Sequence, residues 1–138
     1  QPEFKNYAKQ IILNAKCLAD TLKEEGFKIV SGGTDNHLML VDVKRSLGIT
    51  GLEAEKVLDK IYITVNKNTV PNETETPQTT SGIRLGSPAM TTRGLKENEF
   101  REIGLIIAKA LKNKDNEKVL DELGQEVLEL TKKFPLNY

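Results

Sequence analysis

The chain has 138 residues, 38% of them apolar and 5% aromatic, with no Trp, and its 20 basic residues balance its 20 acidic ones to a formal charge of zero. Such a length makes one domain whose core is built from Ile, Leu, Val and Ala, and the balanced charge argues against nucleic acid as a partner, which a basic excess would attract. No apolar run approaches a membrane span, and the single cysteine, Cys17, excludes an intramolecular disulfide and fits a reducing compartment, so a cytoplasmic protein is expected.

The first residues, Gln1 to Phe4, lack the basic and apolar regions of a secretory signal and run almost directly into a helix, as a chain cut from something longer would. Apolar residues at 4, 7, 8, 11, 12, 15, 18, 19 and 22 predict one face of that helix, stopped at Gly26. Cys17 reads as an inert helix residue, since a reactive thiol needs an electropositive site. Phe27 to Val30 and His37 to Val43 predict an antiparallel hairpin across the turn chemistry of Ser31 to Asn36. Within that turn Asp35 reads as a turn-fixing residue. His37, the one histidine, reads as a hydrogen-bonded residue at a strand start; with no second ligand pattern nearby, no metal site is expected.

Thr50-Gly51-Leu52-Glu53 matches a capping box, with Ile49 placed for the hydrophobic staple, and opens a helix running to about Lys60. Ile61, Ile63 and Val65 alternate with Tyr62 and Thr64 and predict a third strand. The polar stretch from Asn66 to Thr80 has no periodicity and reads either as a binding loop or as a solvated connector. Further on, Phe100, Ile103, Ile107, Ala110 and Leu111 predict a helix from Glu97 to Leu111, with Gly104 inside it for close packing. After a polar break at 113–116, Leu120, Leu123, Val127, Leu130 and Phe134 mark a last helix ended by Pro135.

Between the polar stretch and those helices lies Thr79 to Gly94. Gly82 and Gly86 bracket Ile83-Arg84-Leu85, a fourth short strand on which Ile83 and Leu85 face one way and Arg84 the other; Ser87-Pro88 then reads as an N-cap and first helical residue. Arg84 has two readings, a structural ion pair and a planar fork that grips a carboxylate or phosphate. The elements predict an α/β domain: a small, mainly antiparallel sheet of about four short strands with helices packed on one face. The long first helix and the two after Arg84 supply that cover, and the opposite face, which Arg84 shares, is left to meet another domain. The strand order stays open.

Three blocks in order, Ser31 to Leu38, Ile63 to Asn72 and Thr79 to Gly94, resemble the small domain of serine hydroxymethyltransferase, a pyridoxal-phosphate enzyme that interconverts serine and glycine with a folate. The resemblance implies the small domain of a fold-type I pyridoxal-phosphate enzyme. Residues 1–138 are then a single C-terminal domain without the large cofactor-binding domain, so the chain holds no catalytic residue of its own and is expected to be inactive alone. It implies that Arg84 binds the substrate α-carboxylate, that Asn68 meets the pterin edge, and that Thr76, Pro77 and Gln78 lie over the folate. Many members carry an apolar or aromatic residue where this chain has Gln78, which puts a packing contact there in doubt. Arg93 is implied to support the site, and Asp35 and His37 stand beside it as supporting residues. The implied cofactor is pyridoxal 5'-phosphate, held by the absent large domain, with tetrahydrofolate as co-substrate. The implied partners are serine or glycine, folate, the large domain of the same chain, and further copies in a homodimer or tetramer. Two other classes remain: the small domain of another pyridoxal-phosphate enzyme such as an aminotransferase, against which the Asn66 to Pro71 block argues, and a non-catalytic binding or oligomerisation module.

Overall fold

A computed structural model describes residues 2–30, 38–86 and 94–134. Helix α1, Pro2–Glu24, leads into β1, Lys28–Val30, and β2, Leu38–Asp42; α2, Val43–Leu47, and α3, Gly51–Lys60, follow; then come β3, Asn66–Asn68, and β4, Gly82–Gly86, and finally α4, Glu97–Lys112, and α5, Glu117–Lys133. The four strands form one sheet in the order β1-β2-β4-β3, and every pairing is antiparallel. The expected α/β architecture is present, and the Arg84 strand is an interior strand.

Met39, Val41, Ile83 and Leu85 fill the core face of the sheet. Helices α1 and α3 lie against strands, and α4 is wedged among α1, α3 and α5. Helix α4 is buried along a broad face, through Phe100, Ile103, Ile106, Ile107, Ala110 and Leu111, and exposes the opposite stripe of Arg101, Glu102, Leu105 and Lys109. Gly104 sits where α4 meets α1: a Cβ there would come within 2.8 Å of Thr21 Cγ2, so the close-packing reading holds. Cys17 is half-buried on the same flank, its Sγ 3.1 Å from the Glu97 carbonyl, and burial pushes its thiol pKa up, as an inert residue requires.

Helix α1 ends at Gly26, φ +94°, with Gly26 N donating to Lys23 O and Phe27 N to Leu22 O, the paired bonds of a Schellman motif. Its buried stripe is shifted from the expected one. Asn14, Ala15, Leu18, Ala19, Thr21 and Leu22 are inside, whereas Ile12 and Leu13 are 42% and 37% exposed. The other elements gather on the second half of α1, and Asn14 satisfies its burial by donating Nδ2 to Leu95 O at 3.0 Å.

The capping box at α3 is formed as read: Thr50 Oγ1 accepts from Glu53 N, Thr50 N donates to Glu53 Oε1, and these bonds hold the Glu53 pKa below the usual carboxylate range. The third strand is displaced from its expected place. Ile61 to Val65 is not a strand: Ile61 caps α3, Tyr62 N bonds Asp59 O, and Ile63 N bonds Leu58 O, a second Schellman motif. Ile61 and Val65 are buried as anchors of that connection, and the ladder to β4 begins only at Asn66. Val43, read as the end of a strand, instead opens α2. Asp42 caps it, its Oδ1 accepting from Arg45 N at 3.0 Å. Pro135 lies outside the described residues.

Candidate functional site

Burial alternates cleanly along β4: Ile83 and Leu85 are buried, and Arg84 between them is exposed. Arg84 stands opposite Leu40 on β2 and Asn66 on β3, and Asn68 stands opposite Gly82. Residues two apart share a face, so Arg84 and Asn68 are diagonal neighbours on the side of the sheet away from the core, about 7–8 Å apart by the geometry of such pairs. No carboxylate among the described residues pairs with Arg84, which leaves its fork available and weakens the reading of a structural ion pair. Asn68 is half-buried and spends one amide hydrogen on Thr69 O at 2.9 Å, keeping its carbonyl and second hydrogen for other partners.

The connection from Asn68 to β4 is an ordered loop. It turns first at Pro71-Asn72, where Asn72 has φ +60°, the pattern of a type II turn. Glu73 then becomes its hub. Its Oε1 accepts from Val70 N at 3.3 Å and Ser81 N at 2.8 Å; its Oε2 accepts from Thr74 N at 3.0 Å, Glu75 N at 3.1 Å and the Ser81 hydroxyl. Burial would raise the Glu73 pKa, but the bonds from Ser81, Glu75 and Val70 overcome it and hold the carboxyl at about 2. Val70 is thereby folded over Gly82, where a Cβ would lie 2.7 Å from Val70 Cγ1 and 3.0 Å from Asn68 O.

Thr76, Pro77 and Gln78 are exposed in a turn further along, in which Thr79 N and Thr80 N both donate to Thr76 O. Gln78 being exposed, its side chain faces solvent. That turn is fixed from two sides. Glu75 pairs with Lys44 of α2 at 2.9 Å, and the first amides of α3, Gly51 N and Leu52 N, donate to Thr80 O and Thr79 O. The edge strand is tied in as well, Lys67 N donating to Glu55 Oε2 of α3 at 2.9 Å.

The structure thus brings Arg84 and Asn68 onto one face and sets Thr76 to Gln78 on a braced loop between them in sequence. Asp35, His37, Arg93 and the Ser87-Pro88 cap lie outside the described residues. Glu73, Glu75 and Gly51 were not readable as parts of the site; the Pro71-Asn72 pair was the one local signal that the polar stretch was ordered. Among the described residues there is no cluster of His, Cys, Asp or Glu able to hold a metal ion.

An exposed arginine and a half-buried amide on the side of a helix-backed antiparallel sheet away from the core define an α/β domain with a polar sheet face. The chain belongs to the serine hydroxymethyltransferase family, whose model matches residues 1–107. It is 55% identical over 134 residues to the serine hydroxymethyltransferase of Mycoplasma capricolum subsp. capricolum and 56% identical over 134 residues to that of Mycoplasma mycoides subsp. mycoides SC. In each case 97% of this chain is covered but only 32% of the relative, so the chain spans about a third of the length of these curated relatives.

Proposed function

We propose that residues 1–138 act as the C-terminal small domain of a glycine hydroxymethyltransferase, a transferase that interconverts serine and glycine and passes the one-carbon unit to tetrahydrofolate. The observation that carries this reading is the exposed Arg84 on the open sheet face with Asn68 beside it. Arg84 binds the α-carboxylate of serine or glycine through two parallel charge-assisted hydrogen bonds. Two bonds from a planar fork fix the plane of the amino acid as well as its position, so the substrate bond that breaks is held in one orientation. Asn68 offers its amide to the pterin edge of the folate, which carries both donors and acceptors. Thr76, Pro77 and Gln78 form the folate wall on the braced loop, and Arg93, Asp35 and His37 support the site.

The residues standing across the sheet from Arg84 do not fit pyridoxal phosphate itself: they are Leu40 and Asn66, and neither is an amine that could carry the cofactor. We assign the cofactor to the part of the longer protein outside this chain, which meets the Arg84 face, and place the whole enzyme in the cytoplasm as a homodimer or tetramer. No helix among the described residues is long and apolar enough to cross a membrane.

The test titrates glycine and a reduced folate separately into the full-length protein. Arg84→Lys is expected to lose glycine affinity with folate affinity kept, and Asn68→Ala the reverse. Equal losses of both ligands in both variants would reject the assignment.

A further inference from the structure

We infer that Glu73 is a positioning residue that sets the folate side of the site, an inference that rests on reading the segment from Asn68 to Gln78 as the folate wall. One carboxylate accepts from both limbs of that segment: Val70, two residues past Asn68, and Ser81, three residues before Arg84. It also gathers Thr74 N and Glu75 N, the amides that lead into Thr76, Pro77 and Gln78. Without it, those amides would need water, and Val70 would no longer be drawn over Gly82. Arg84 depends on Glu73 far less. It sits in a five-residue register with β2 and a three-residue register with β3, so its place is fixed by ladder hydrogen bonds on both sides.

The two halves of the site therefore separate by cause. Arg84 is placed by the sheet, whereas the two limbs of the loop that carries Thr76, Pro77 and Gln78 are drawn together by one anion, with the Glu75–Lys44 pair and the first α3 amides fixing the turn between them. A carboxylate is the right group for this task because it is acceptor-only and has room for several N–H donors at once, which neither an amide nor a hydroxyl has. Glu73→Gln keeps the size but turns an NH2 group toward backbone N–H groups, so donor faces donor. Glu73→Asp keeps the charge but is one methylene too short to span both limbs.

The experiment uses the full-length protein. Folate and glycine affinities are measured for the wild type, Glu73→Gln, Glu73→Asp and Asn68→Ala, together with backbone hydrogen exchange of peptides spanning 69–81 and 97–133. Glu73→Gln is expected to weaken folate roughly tenfold or more with glycine held within about twofold. Exchange should speed up in 69–81 and stay unchanged in 97–133, and Glu73→Asp should recover part of the folate affinity. Unchanged folate affinity in Glu73→Gln, with Asn68→Ala still impaired, overturns the positioning role. So does an equal loss of both ligands with faster exchange in both segments, which would mark a general structural role. Unchanged folate affinity in both Glu73→Gln and Asn68→Ala, with exchange still faster in 69–81, overturns the folate reading of the loop instead and leaves the brace itself established.

Discussion

Gly51 N donates to Thr80 O at 3.0 Å, and a Cβ placed on Gly51 would lie 2.2 Å from Thr80 Oγ1 and 2.3 Å from Gly82 O. The first turn of α3 and the chain entering β4 thus touch backbone to backbone, which only glycine allows at this position. Two of the otherwise orphaned helix amides are satisfied by the loop, and the loop is aimed by them at Arg84 two residues beyond Gly82. Gly51→Ala is expected to destabilise the chain by about 1–3 kcal/mol, the usual range for an overpacked contact, seen as a lower urea midpoint at unchanged m. Adding Thr80→Ala should not restore it, because the Gly82 carbonyl remains in the way. A neutral Gly51→Ala would show that the loop can retreat freely and that this contact does not aim the strand.

Arg84 makes a sharper prediction, because charge and geometry can be varied separately. Arg84→Lys keeps the charge and loses the planar fork, so one of two charge-assisted bonds to a carboxylate goes. The expected loss of glycine and serine affinity is on the order of 1.5–3 kcal/mol, or about ten- to a hundredfold. Arg84 is exposed, so the same variant should unfold at nearly the wild-type urea midpoint. Near-normal glycine binding would return Arg84 to a purely structural reading.

Glu73 gives the loop an acid limit. Its folded pKa of about 2 lies below the ordinary 4.5, so its contribution to stability is complete above about pH 4.5 and is lost as the pH falls toward 2. Urea midpoints of the wild type and Glu73→Gln, followed from pH 5 to pH 2, are expected to converge on acidification, since the wild type loses a bonded anion that the variant never had. Parallel curves would mean that the Glu73 carboxyl titrates alike in the folded and unfolded chain.

Most of the architecture was legible because local chemistry and burial agreed. The Thr50–Glu53 box, the Gly26 stop and the alternation around Arg84 each state a backbone geometry in residue types. Failures came where burial and hydrogen bonding part company. Ile61, Ile63 and Val65 alternate like a strand, yet they are anchors of a helix exit, and the true strand, Asn66–Asn68, is polar because it is an edge with an open face. Helix α2 is a single turn capped by a side chain, too short to carry a period. The candidate site was legible in Arg84 and Asn68, but not in Glu73: five hydrogen bonds to one carboxylate depend on where the loop closes, and spacing in sequence carries no trace of that.

The last prediction compares the two Schellman motifs. At the end of α1 the left-handed position is Gly26, φ +94°; at the end of α3 it is Tyr62, φ +67°. The same backbone bonds are made at both ends, but a residue with a Cβ in this conformation costs roughly 1–2 kcal/mol that glycine does not. Tyr62 recovers part of that by laying its ring beside Gly124 of α5, where its Cε2 is 3.3 Å from the place a Cβ would occupy, but the side chain stays 61% exposed and so buries little. Relief of strain is the larger effect. Tyr62→Gly should therefore stabilise the chain by about 1 kcal/mol, less the entropy glycine adds to the unfolded state, and Tyr62→Asn by about half as much. The measurement is the urea midpoint of each variant at unchanged m. A lower midpoint for both variants would mean that the ring of Tyr62 against Gly124 holds α5 to the end of α3 more strongly than the strained backbone opposes it.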